Sequence, residues 1–123
     1  GMGFRLLREA GIKTGIITSE DTLIAKRRAQ KLKVDFLQQG KRDVGKLAIV
    51  EEICSQLGIS LDEVAYIGDD INCIDLLYAV GMKACPADAC EEVMRIKGIE
   101  VMDKRGGEGC VREWINIILS RNE

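Results

Sequence analysis

The 123 residues suit a single domain, 1–123, at roughly 100 to 200 residues per domain. Their 46% hydrophobic and 31% charged residues exclude a disordered chain or a fibre. Eighteen Lys and Arg against twenty Asp and Glu leave a formal charge of -2, with no electrostatic drive toward nucleic acid.

Short β-branched runs alternate with stretches of helical period, the pattern of βαβ units. Phe4, Leu7 and Ala10 share a helical face ahead of Gly11, which is read as a C-terminal cap, and Thr14 to Thr18 reads as a buried strand. Asp21 to Lys33 is predicted as a helix with a basic face and Val34 to Leu37 as a short strand. Lys46 to Leu57 is predicted as an amphipathic helix with the stripe Leu47, Val50, Cys54 and Leu57, ended by Gly58. Ser60 and Glu63 have capping-box spacing, but the run Val64 to Ile67 is too short for a helix and reads as a strand. A helix over Ile71 to Val80, a strand over Met82 to Ala84, a helix over Ala89 to Ile96 and a strand over Glu100 to Met102 follow. Beyond the turn Gly106-Gly107-Glu108-Gly109, a last helix faces Val111, Trp114, Ile115, Ile118 and Leu119 inward.

No apolar run approaches the roughly 18 to 20 residues that span a bilayer, and no secretory leader opens the chain, so a cytoplasmic protein without a membrane partner is expected. The absence of histidine removes Ser-His-Asp and Cys-His mechanisms and the usual zinc hydrolase ligands from these residues. Chemistry must run on carboxylates, hydroxyls, lysines or thiols. Cys54, Cys73, Cys85, Cys90 and Cys110 form no CxxC pair and read as reduced, mostly buried thiols.

Parallel strands joined by right-handed crossovers align their C-terminal ends along one edge, where α/β sheets hold ligands. Thr18-Ser19 and Gly68-Asp69-Asp70 stand at such ends, and Lys46 opens the helix between them. Paired carboxylates on a Gly turn suit Mg2+, which takes one or two protein carboxylates and completes its shell with water and phosphate oxygens. A hydroxyl can hold a phosphate oxygen and a lysine can neutralise charge on a transferred phosphoryl group. The plainer alternatives are that Thr18, Ser19 and the Asp pair cap turns or helices and that Lys46 is a solvated first-turn lysine.

The segments Ile-Ile-Thr-Ser, Gly-Lys-Leu, Val-Ala-Tyr-Ile-Gly-Asp-Asp, Cys-Pro-Ala-Asp-Ala and Gly-Gly-Glu-Gly-Cys-Val-Arg-Glu, in that order, resemble the haloacid dehalogenase superfamily. Within it they resemble the small capless phosphatases of 3-deoxy-octulosonate 8-phosphate and of nonulosonate 9-phosphates. A similar module is fused to some acylneuraminate cytidylyltransferases. The resemblance implies a three-layer, Rossmann-like α/β fold with a mainly parallel sheet. It implies Thr18 as phosphate binder, Lys46 as the catalytic lysine, Asp69 as ligand of Mg2+ with Asp70 in support, and a tetramer. Where the family often has a further Asp four residues after Asp69, this chain has Cys73.

The family's Asp-x-Asp motif, which carries the nucleophile and general acid, has no match in these residues, so the first, central strand and the cap are expected to be absent and the chain inactive alone. In the family that strand lies between those ending here at Thr18 and at Asp69. Direct pairing of the two flanking strands, a segment from a neighbouring chain, or a separate N-terminal fragment would fill its place.

On the substrate side, octulosonate phosphatases resemble Thr-Gly-Arg where this chain has Thr18-Ser19-Glu20, a reversed charge that favours a nonulosonate 9-phosphate. Ser19 and Glu20 are then candidates for sugar hydroxyls, Arg28 or Lys31 for the carboxylate, and Arg112 for a neighbouring subunit's site. A second reading is a non-catalytic oligomerisation or ligand-binding module related to the cytidylyltransferases.

Overall fold

The structure, a computed structural model, describes residues 2–18, 23–39 and 45–122. The chain forms two compact units, residues 1–43 with 115–123 and residues 44–114.

In the first unit, helix α1 (Met2–Glu9) buries Gly3 and Leu7. It ends at Gly11, whose φ of 79° lets the Ile12 N–H reach back to the Leu7 carbonyl at 2.9 Å. Strand β1 (Gly15–Thr18) pairs in parallel with β2 (Phe36–Gln39), Gly15 opposite Phe36 and Thr18 opposite Gln39. β1 is half-buried along Ile16 to Thr18 and exposed at Gly15, so the expectation of a buried strand is corrected. The β2 strand runs two residues later than its β-branched signal. Lys33 at φ 56° turns the chain, and Asp35 then locks onto Thr14: Asp35 Oδ2 accepts from the Thr14 N–H at 2.8 Å and the Asp35 N–H donates to the Thr14 carbonyl at 2.8 Å. Helix α2 (Leu23–Leu32) connects the strands; the predicted start at Asp21 lies outside the described residues.

In the second unit, α3 (Lys46–Leu57) has the predicted bounds, because Gly58 at φ 69° caps it through bonds to the Cys54 and Ser55 carbonyls. Its buried stripe is Ile49, Val50 and Cys54, with Leu47 and Leu57 only half-buried. Ser60 and Glu63 do form their capping box, around a single 3-10 turn, Leu61–Glu63, and the strand β3 (Ala65–Ile67) follows. The predicted helix over 71–80 is a 3-10 turn, Ile71–Cys73, running into α4 (Ile74–Ala79). Strand β4 (Met82–Cys85), helix α5 (Glu91–Met94) and strand β5 (Glu100–Val101) complete the sheet β3-β4-β5, all parallel, with Ala65 opposite Met82 and Ala84 opposite Glu100. β3 is an outer strand of that sheet and β1 pairs with β2, so direct pairing of β1 with β3 is not met among the described residues.

Cys73, Leu77, Cys85, Val93 and Ile96 form the core of this unit, and Leu76 beside Leu77 is equally closed to solvent. Fully burying each such aliphatic side chain contributes about 1.5 to 3 kcal/mol. Helix α6 (Cys110–Arg121) buries Cys110, Trp114 and Ile115, whereas Val111 is 42% exposed, against the expectation that it faces inward. All five cysteines are free, and burial pushes the Cys54, Cys85 and Cys110 thiols up. No described helix is long and apolar enough to cross a membrane.

Candidate active site

β3 delivers the chain to Gly68, where the Gly68 N–H donates to the Ala84 carbonyl at 3.1 Å, and the sheet then releases it. Tyr66 and Gly68 lie two apart and therefore share a face of the strand. A Cβ built on Gly68 would stand 2.8 Å from Cys73 Cβ, 2.8 Å from Cys73 Sγ and 2.8 Å from Tyr66 Cε2. The bare backbone at 68 is what allows the thiol and the phenol ring to close beneath the Asp69-Asp70 turn.

The two carboxylates have different surroundings. Asp70 caps the 3-10 turn, its Oδ1 accepting from the Asn72 N–H at 2.8 Å. Asp69 is exposed, and its carboxylate accepts no hydrogen bond among the described residues; its backbone carbonyl, by contrast, is pinned by the Cys90 N–H at 3.0 Å. A backbone held from the neighbouring loop and an unengaged carboxylate suit a cation ligand. The plainer capping role therefore falls on Asp70, with one oxygen left over. Among the described residues no group of three or more acidic, Cys or His side chains is arranged to hold a metal ion, so Asp69 and the second oxygen of Asp70 are the carboxylate groups this turn could offer a cation.

Lys46, the first residue of α3, extends to the same corner: its Nζ donates to Cys73 Sγ at 3.5 Å, and the Tyr66 hydroxyl lies 3.4 Å from that sulfur. Lys46 makes no ion pair among the described residues. Burial first, then Cys73, and last the Asp69 and Asp70 charges push the Tyr66 phenol far up, so it is a protonated hydrogen-bonding group at all working pH. The structure thus brings Lys46 to the Asp69-Asp70 turn through Cys73.

At the ends of β4 and β5 two loops are laced together. Asp88 Oδ1 accepts from the Gly106 N–H at 2.7 Å, with Arg105 at 3.8 Å, and these hold its carboxyl below the usual carboxylate range. Glu113 accepts from the Asp103 and Lys104 N–H groups at 2.9 and 3.0 Å. Its neighbour Arg112 is exposed. In the first unit, Thr18 ends β1, and Arg28 and Lys31 stand exposed on α2. Ser19 and Glu20 lie outside the described residues. Sequence reasoning missed Tyr66 as a member of the site. The signal available was its i, i+2 relation to a glycine at a strand end.

A haloacid dehalogenase-like hydrolase family profile matches residues 3–81. Over 119 residues, 97% of this chain, the sequence is 34% identical to the 3-deoxy-D-manno-octulosonate 8-phosphate phosphatase KdsC of Yersinia pestis and covers 62% of it. It is 29% identical to the KdsC of Haemophilus influenzae, covering 64% of that protein. The chain thus spans less than two thirds of these curated relatives. Among solved structures, the 3-deoxy-D-manno-octulosonate 8-phosphate phosphatase of Moraxella catarrhalis, in complex with magnesium ion, phosphate ion and KDO, superposes with TM-score 0.90 at 31% identity, over 97% of this chain and 67% of that chain. The cobalt-bound Haemophilus influenzae enzyme gives TM-score 0.90 at 28% identity, over 98% of this chain and 69% of that chain.

Proposed function

The chain belongs to the haloacid dehalogenase-like hydrolases, and from that premise we propose that it is the metal- and phosphate-binding part of an Mg2+-dependent phosphomonoesterase acting on a sugar-acid phosphate. The observation that supports this reading is the Lys46–Cys73 contact, which brings an ammonium to the 3-10 turn that follows the exposed Asp69 and that Asp70 caps. In this proposal Asp69 holds Mg2+ with Asp70 in support, and the ion when bound would draw charge off a phosphoryl oxygen. Lys46 neutralises charge on the transferred group and Thr18 holds a phosphate oxygen. The 123 residues contain no Asp-x-Asp pair to supply nucleophile and acid. Those groups are proposed to come from a segment outside these residues, in a cytoplasmic homotetramer.

The names of the relatives support the octulosonate 8-phosphate as substrate. Glu20 in place of Arg supports a nonulosonate 9-phosphate instead, with Ser19 and Glu20 near the sugar hydroxyls, Arg28 or Lys31 near its carboxylate and Arg112 at a neighbouring subunit. The missing Asp-x-Asp pair also favours a second reading, a non-catalytic binding or oligomerisation module related to acylneuraminate cytidylyltransferases. One assay separates them. With Mg2+ and a generic phosphate ester, the 123 residues alone are expected to release no inorganic phosphate, and the chain extended by an Asp-x-Asp segment is expected to turn over, faster on a sugar-acid phosphate. Release by the 123 residues alone would contradict this account of the nucleophile, and silence of the extended chain would favour the binding module.

A further inference from the structure

The phosphatase reading uses the Lys46 charge but does not say what aims it. We propose that Cys73 is a positioning residue for Lys46: its sulfur, backed by the Tyr66 hydroxyl, tethers the ammonium at the mouth of the Asp69-Asp70 turn without cancelling its charge. The geometry is a chain of three groups, Nζ to Sγ at 3.5 Å and Sγ to the phenol oxygen at 3.4 Å. An ammonium only donates, so Sγ accepts from it, while between the sulfur and the phenol oxygen either group can donate. The thiol is 2% exposed, so water does not compete for it.

A second observation is independent of those distances. Position 68 has no room for a Cβ because the thiol and the Tyr66 ring occupy that space, so the strand end is shaped around the tether. The choice of sulfur matters electrostatically. A carboxylate at 73 would pair with the ammonium and spend its field locally, whereas sulfur is a weaker acceptor that leaves the charge for an incoming anion.

The inference rests on the phosphatase reading for what Lys46 meets, but its test needs no turnover. Site-resolved acetylation by acetic anhydride, read by mass spectrometry on the 123-residue chain, gives the Lys46 rate relative to the exposed Lys97. Releasing a hydrogen-bonded amine should raise that ratio about threefold or more in Cys73→Ala. Cys73→Ser, close in size and able to accept and donate, should stay within about twofold of the parent, and Cys73→Asp, an ion-pair partner, should fall below it. Equal ratios in Cys73→Ala and the parent would overturn the tether. If Cys73→Ala does not fold by circular dichroism, the Asp variant decides, and a ratio at or above the parent's overturns the proposal. The expected order in an extended chain that releases no phosphate would leave the tether standing and sink the phosphatase reading instead.

Discussion

In the chain extended by its Asp-x-Asp segment, Asp69→Ala is expected to lower kcat for phosphate release about 10³-fold, because a bound metal supplies several kcal/mol of charge stabilisation at phosphoryl oxygen. Fold is not expected to suffer. The Asp69 carboxylate is exposed and accepts no hydrogen bond among the described residues, and the bond from Cys90 goes to its backbone, which alanine keeps. Asp70→Asn provides the contrast. An amide oxygen still accepts from the Asn72 N–H, so the 3-10 turn persists while the charge and the second carboxylate oxygen are lost. Its effect is expected to be smaller, about tenfold to 10²-fold, because Asp70 supports the cation that Asp69 holds. Initial rates at saturating Mg2+ with circular dichroism on each variant make the comparison. A kcat within tenfold of the parent for Asp69→Ala would remove the metal from that carboxylate.

Gly81→Ala is expected to cost about 3 kcal/mol or more, beyond the usual range for overpacking, because the clash is with backbone and not with a movable side chain. A Cβ at 81 would fall 2.0 Å from the Asp62 carbonyl oxygen and 2.7 Å from its carbon. Neither side can give way. The Gly81 N–H donates to Leu61 O at 3.1 Å and the Met82 N–H to Val64 O at 3.1 Å, which fixes the entry to β4 against β3. Across the gap, Ser60 and Glu63 hold the 3-10 turn from both ends, with Ser60 N to Glu63 Oε2 at 2.9 Å. Thermal denaturation should show a loss of about 10 °C or more. Gly45→Ala, at φ -63° with open space around it, is the control and should cost about 1 kcal/mol or less. Equal melting temperatures for the two variants would contradict the steric account.

The elements that sequence reasoning located most closely are those whose ends carry a backbone requirement. α3 runs from Lys46 to Leu57 as predicted because only a residue tolerant of positive φ fits at 58. β2 was displaced because Gln38 and Gln39 have little intrinsic strand preference yet pair with Ile17 and Thr18, a tertiary pairing that outweighs propensity. The helix predicted from Ile71 starts as a 3-10 turn because Asp70 captures the Asn72 N–H, and periodicity carries no trace of that competition. In the site, Lys46 and Asp69 were legible as residue types at strand and helix ends. The sulfur that Lys46 and Tyr66 share was not, because a cysteine without a partner spacing reads only as a small buried hydrophobe. Its meaning depends on which groups a three-residue turn folds over it.

The most direct test of the central claim, that Asp69 and Lys46 serve a cation and a phosphate, is calorimetric titration of the 123-residue chain with Mg2+ in the presence of inorganic phosphate. The account predicts saturable binding of one Mg2+ per chain, lost in Asp69→Ala, and a phosphate affinity weakened about tenfold or more in Lys46→Gln, the loss of one charge-assisted hydrogen bond. Mg2+ uptake unchanged by Asp69→Ala, or no uptake by the parent chain, would contradict it.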